Sequence, residues 1–180
     1  MKTIYEHLGY PITAESFKLG DRESLQYTNK PGGGLWASRC SNLPENSYTW
    51  RDWVDDENFN TEKYLREGAS HKFTLNDNAN VLLLDGNSVE VTGEIQYFLS
   101  GVGTLEQLQS IKDQLTTDKE IFSKGTTLDR FFTLNWDYIF SHYDGIELIH
   151  GELYTVFHYD GFYWWDVDSI CLWNNVIQTL

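Results

Sequence analysis

Lys30-Pro31-Gly32-Gly33-Gly34-Leu35-Trp36-Ala37-Ser38 joins a proline and three consecutive glycines to an apolar run that ends in a hydroxyl. A proline followed by three glycines makes a turn that can take positive φ and let another group approach the backbone closely. The chain passes from that turn straight into an apolar, strand-like Leu35–Ser38. Further along, Tyr48-Thr49-Trp50-Arg51-Asp52-Trp53 begins a helix predicted over Tyr48–Glu57. It sets Trp50, Trp53 and Val54 at helical spacing, with Ser47 or Thr49 as N-cap. Glycine turn, aromatic strand, hydroxyl and aromatic helix form a wall suited to a flat, polar ligand. A glycine loop entering a core strand, with the tryptophans as packing, reads the same residues without a ligand.

Outward from this segment, the pattern alternates short strands and short helices. Thr3–Leu8 reads as a strand and Pro11–Gly20 as a loop with one helical turn. A helix over Glu62–Glu67 is stopped by Gly68, and strands at His71–Leu75 and Asn80–Asp85 flank the turn cluster Asn76-Asp77-Asn78. Thr104–Ser123 reads as a scaffold helix, with Thr104 and Gln107 as a capping box and Leu105, Leu108, Ile111 and Leu115 on one face. Asn135 caps a helix running through His142, followed by a strand at Gly145–Ile149. Asp160-Gly161 favours a tight hairpin between Tyr154–Tyr159 and Phe162–Val167, and Ser169–Trp173 is the last strand. These elements predict a single α+β domain with a split, antiparallel-rich sheet flanked by short helices.

The chain has 180 residues and a formal net charge of -14, which argues against binding a nucleic-acid backbone and is compatible with a basic protein partner. Cys40 and Cys171, with no signal-like apolar stretch behind Met1 and no membrane-length apolar run, point to a reduced, cytoplasmic protein. His142, Asp144, His150, His158, Asp160, Asp166 and Asp168 crowd the last quarter, but their spacings match no ligand motif, and no metal is expected. Ser38 and Cys40 lie in no nucleophile-elbow pattern, and Cys171 reads as core. In Phe162-Tyr163-Trp164-Trp165, alternate rings on a strand would face opposite sides, so one face is core and the other is core, ligand wall or interface. The three glycines enter a strand and not a helix, which excludes a Rossmann site.

The C-terminal string Trp165-Asp166-Val167-Asp168-Ser169-Ile170-Cys171-Leu172-Trp173-Asn174 adds a resemblance. With the glycine segment and Trp50-x-x-Trp53, it resembles a group of phage and bacterial proteins. They share Lys-Pro-x-Gly-Leu-Trp-x-Ser, to which this chain adds one glycine, and a terminal Trp-Asp-x-x-Ser-x-Cys-φ-Trp-Asn. At motif level the chain also resembles diphtheria-toxin-like ADP-ribosyltransferases, where a glycine-led turn opens an aromatic strand and a Trp- or Tyr-bearing helix closes a nicotinamide pocket. That likeness implies NAD as substrate, with Gly34 in the turn, Trp36, Trp50 and Trp53 around the nicotinamide, and Ser38 and Ser169 as hydroxyls in the pocket. His7 would stand for the family's first-strand His or Arg. The catalytic carboxylate would be Asp166 or Asp168, where the family carries glutamate; Asp166 is preferred, and the two would share a strand face. The activity implied is ADP-ribosyl transfer to a host protein or nucleic acid, or NAD hydrolysis. The alternative is a small acidic, non-enzymatic inhibitor or interaction module of anti-defence or nucleic-acid-mimic type, with Asp52, Asp55, Asp56 and Glu57 facing a basic host protein surface. If phage-encoded, either would act in the host cytoplasm.

Overall fold

The computed structural model of the chain describes residues 1–21, 29–88, 119–121, 134–151 and 165–180. Seven strands form one sheet: β1 (Ile4–Leu8), β2 (Leu35–Arg39), β3 (Ser70–Leu75), β4 (Val81–Asp85), β5 (Gly145–Ile149), β6 (Ser169–Leu172) and β7 (Ile177–Thr179). Their spatial order is β4-β5-β6-β2-β1-β3-β7. Every neighbouring pair is antiparallel except β4–β5, which is parallel. Among the described residues the α-helices are short: α1 (Trp50–Asp56), α2 (Thr61–Tyr64) and α3 (Trp136–His142). The fold is mixed α+β, with few helices around an antiparallel-rich sheet.

Side chains alternate across the strands and feed two cores. On one face Tyr5, Leu35, Ala37, Phe73, Ile170 and Leu172 pack with Phe17. On the other, Leu82, Leu84, Ile146, Leu148, Trp165 and Cys171 pack under Trp136 and Ile139 of α3. β2 and β6 join the two motif-bearing ends of the chain, pairing Leu35 with Leu172, Trp36 with Cys171 and Ala37 with Ile170. That adjacency is the one the shared motifs predict.

The glycine turn is needed for this pairing. Gly34 has φ 77°, and a Cβ there would lie 2.7 Å from Cys171 Sγ and 3.1 Å from the Leu172 carbonyl. Left-handed backbone and a close neighbour act together, so Gly34→Ala should cost about 2 kcal/mol or more. Thermal unfolding should show this as a drop in Tm of roughly 4–8 °C. An unchanged Tm would mean that the turn relaxes without strain.

Several sequence expectations shift. α2 ends at Tyr64 and not Glu67, and β7 was not foreseen. The helix expected over Thr104–Ser123 lies outside the described residues except for a 3₁₀ turn at Lys119–Ile121, which buries Ile121. The hairpin around Asp160-Gly161 also lies outside them. At its expected end, Trp165–Asp168 is not strand: the chain bends at Val167-Asp168 and enters β6 at Ser169. The cause is the Asp168 backbone N–H, which donates to the Tyr48 carbonyl instead of continuing a ladder.

Candidate functional site

The β1–β2 ladder is short. It holds only the pairs Tyr5–Arg39 and Glu6–Ser38. Beyond them the Trp36 carbonyl is held by His7 Nδ1, at 2.7 Å. A cleft of about 300 Å³ opens here, between Leu8 and Ala37 of the two strands and three tryptophans, Trp36, Trp50 and Trp165.

Each ring is fixed from its own end. Trp36 Nε1–H donates to the Gly33 carbonyl at 2.8 Å, so the turn that starts β2 also aims its first aromatic side chain. Trp165 is fully buried, donates to the Asn29 carbonyl at 3.0 Å and meets Trp36 edge-on, with centroids 4.8 Å apart. Trp50 begins α1, whose N-cap Thr49 and Asp52 form a reciprocal capping box. Trp53, one turn on, stacks against Trp50 at 4.8 Å, and Tyr64 of α2 meets Trp50 edge-on at 6.1 Å.

Polar groups are few and distinct. Burial pushes the His7 pKa below its ordinary value, with hydrogen bonds to the Trp36 and Tyr10 backbone opposing. Lys30 Nζ lies 5.1 Å from the centre of the Trp36 ring, within cation–π range. Burial lowers the Lys30 pKa, and the nearby Asp166 opposes that shift. Asp166 and Ser169 also line the cleft. The result is an aromatic box with one carboxylate and one ammonium in its wall.

The residues singled out from sequence therefore separate. His7, Trp36, Trp50, Asp166 and Ser169 converge on the cleft. Ser38 does not line it. Its buried hydroxyl donates to the Asp168 carbonyl at 2.8 Å and accepts the Trp50 backbone N–H at 3.0 Å, clamping the start of α1 to the approach to β6. Trp53 stands behind Trp50, and the space a Gly34 side chain would need is taken by Cys171.

Asp168 is turned inward. One carboxylate oxygen accepts the His150 backbone N–H at 2.7 Å and its ring Nδ1 at 2.9 Å; the other accepts the Ser47 hydroxyl at 2.8 Å. The expectation that Asp166 and Asp168 share a strand face fails because the chain bends between Trp165 and β6, sending one carboxylate to the cleft and the other to the interior. Sequence reading missed Lys30 and Tyr64 as cleft residues. Lys30 heads the glycine segment, and its place next to the turn was the available signal.

Among the described residues, no group of three His, Cys, Asp or Glu side chains is gathered closely enough to hold a metal ion. No described helix is long and apolar enough to cross a membrane. Burial pushes the Cys171 thiol far up, which leaves it inert. Comparison with protein-family models, curated proteins and solved structures finds no match to this chain.

Proposed function

We propose that the cleft binds the flat heteroaromatic end of a nucleotide, with NAD as the first ligand to test, in an ADP-ribosyltransferase-like arrangement. The observation that carries this reading is the convergence of Trp36, Trp50 and Trp165 with His7 and Asp166 where the β1–β2 ladder stops. Offset and edge-on packing against indoles suits a planar, polarised ring. A carboxylate in the same wall suits the positive charge that develops on ribose as nicotinamide leaves. The volume lies at the small end of ligand pockets, so it matches a nicotinamide riboside end more than a whole dinucleotide. Asp166 is one methylene shorter than the glutamate of the resembling family, and the Ser38 hydroxyl is engaged elsewhere.

Thermal unfolding with NAD, nicotinamide and ADP-ribose tests the reading, since a ligand that binds the folded state raises Tm by mass action. NAD and nicotinamide should both stabilise the wild type, ADP-ribose less, and Trp36→Ala should abolish the nicotinamide shift. No shift with NAD or nicotinamide at millimolar concentration would end the proposal.

A further inference from the structure

Beside the cleft, α1, α2 and the connection between them carry a continuous ladder of aromatic rings. Trp50 stacks on Trp53 with the ring planes 10° apart, Trp53 meets Phe59 at 5.1 Å, and Phe59 stacks on Tyr64 at 6.0 Å. Lys63 extends the ladder to Tyr10: its ammonium lies 4.5 Å from the Tyr64 ring centre and 5.1 Å from that of Tyr10. Phe59 is 41% exposed and Tyr10 67%. Contiguous aromatic surface of this kind is the usual composition of an interface centre, and a soluble chain leaves such patches open mainly where something docks.

The rim of the ladder is acidic. Asp52, Asp55, Asp56, Glu57, Glu62 and Glu67 are all exposed. Against these six, residues 51–67 hold three bases, Arg51, Lys63 and Arg66. Arg51 is engaged bidentately by Glu6, and Lys63 by the Tyr64 hydroxyl. Rings bordered by carboxylates attract ammonium and guanidinium groups through both the π face and the charge. Lys63, lying over two tyrosines, is the same chemistry within the chain.

We propose that the α1–α2 aromatic face docks a lysine- and arginine-rich segment of a partner protein. Charge selects this occupant. A nucleic-acid backbone and a second copy of this chain, itself at -14, are both repelled. Trp50 and Tyr64 belong to the ladder and to the cleft wall alike, so a docked segment lies directly beside the cleft. The docking surface stands whether or not the cleft takes NAD.

The test is fluorescence anisotropy with a labelled Lys/Arg-rich peptide, an acidic peptide of equal length and a single-stranded oligonucleotide. Only the basic peptide should bind, and its affinity should fall steeply between about 50 and 300 mM salt as exposed charges are screened. Phe59→Ser should weaken it about tenfold, as removal of a central ring does. The double change Asp55→Asn with Asp56→Asn should weaken it similarly. Neutralising two acids elsewhere, Asp77→Asn with Asp137→Asn, should leave it nearly unchanged. Wild-type protein that ignores the peptide, a Phe59→Ser protein that binds like wild type, or a control pair that loses as much as the Asp55/Asp56 pair would overturn the proposal. The nicotinamide Tm shift, measured on the same Phe59→Ser protein, separates failure of docking from failure of the cleft reading.

Discussion

If the cleft cleaves NAD as proposed, Asp166→Asn should lower that cleavage by about 10²–10³-fold while leaving NAD affinity within a few-fold of wild type. Asp166 is the acid that lines the cleft, half-buried in a wall it shares with Trp36, Trp165 and Lys30. Asparagine keeps its size and hydrogen-bonding reach and removes only the charge. Stacking on the indoles acts on the ground state and survives. In the proposed reaction, Coulombic stabilisation of ribosyl cation character would act in the transition state and be lost. Nicotinamide release at high protein concentration, with Kd measured separately, gives both quantities. Turnover retained by the asparagine variant, or absent from the wild type, removes the catalytic role; in the latter case the cleft remains as a binding site.

The second large effect is on stability. Asp168→Ala should cost about 3–5 kcal/mol, because three donors lose a buried acceptor at roughly 1–3 kcal/mol each, less than additively. Asp168 is 7% exposed, and its loss leaves the His150 N–H, the His150 ring Nδ1 and the Ser47 hydroxyl without their acceptor. Burial pushes this carboxyl up, but the bonds from His150 and Ser47 outweigh it and hold the pKa below the ordinary aspartate value. The folded value is thus the lower one, and as pH falls the unfolded chain takes up the proton first. The contribution is full above about pH 4, and it is lost as pH falls from there through the folded pKa. Glu6 shifts the same way: burial raises its carboxyl, and hydrogen bonds from Arg51 and Ser70 more than offset that. Denaturant titrations at neutral and acid pH should show the alanine variant weaker at neutral pH, with a shallower acid slope that Glu6 keeps above zero. A neutral-pH loss below about 1 kcal/mol would show that the network adds little.

What was legible in the sequence follows from local physics. The glycine turn, the Thr49-capped helix with its tryptophans and the Asn135-capped helix all lie in short windows where capping and periodicity act. The β2–β6 pairing was legible only through the two motif-bearing ends. β7 was missed because Ile177–Thr179 is too short and polar to show alternation. The parallel β4–β5 pair depends on a crossover that no local pattern encodes. Trp36, Trp50 and Asp166 could be placed together because aromatic and acidic types limit what a turn-strand-helix can do. Ser38 and Asp168 could not be sorted from them. Whether a hydroxyl or carboxylate faces a ligand or the interior depends on partners such as His150, which lies far off in sequence.

The position of β6 has a consequence for synthesis. Residues 169–172 are made after the other strands except β7, yet they sit in the middle of the sheet, between β5 and β2. Among the described residues, a nascent chain ending at His150 therefore holds two unjoined strips, β4–β5 and β2–β1–β3, each with the edge that β6 will take still able to pair with another chain. Trp165 and Asp166 emerge just ahead of β6, so the strand that closes the sheet also brings in the cleft's last wall. The cleft is completed in the same step that ends the exposure of both edges, so the chain is past its most aggregation-prone stage when all three tryptophans are in place.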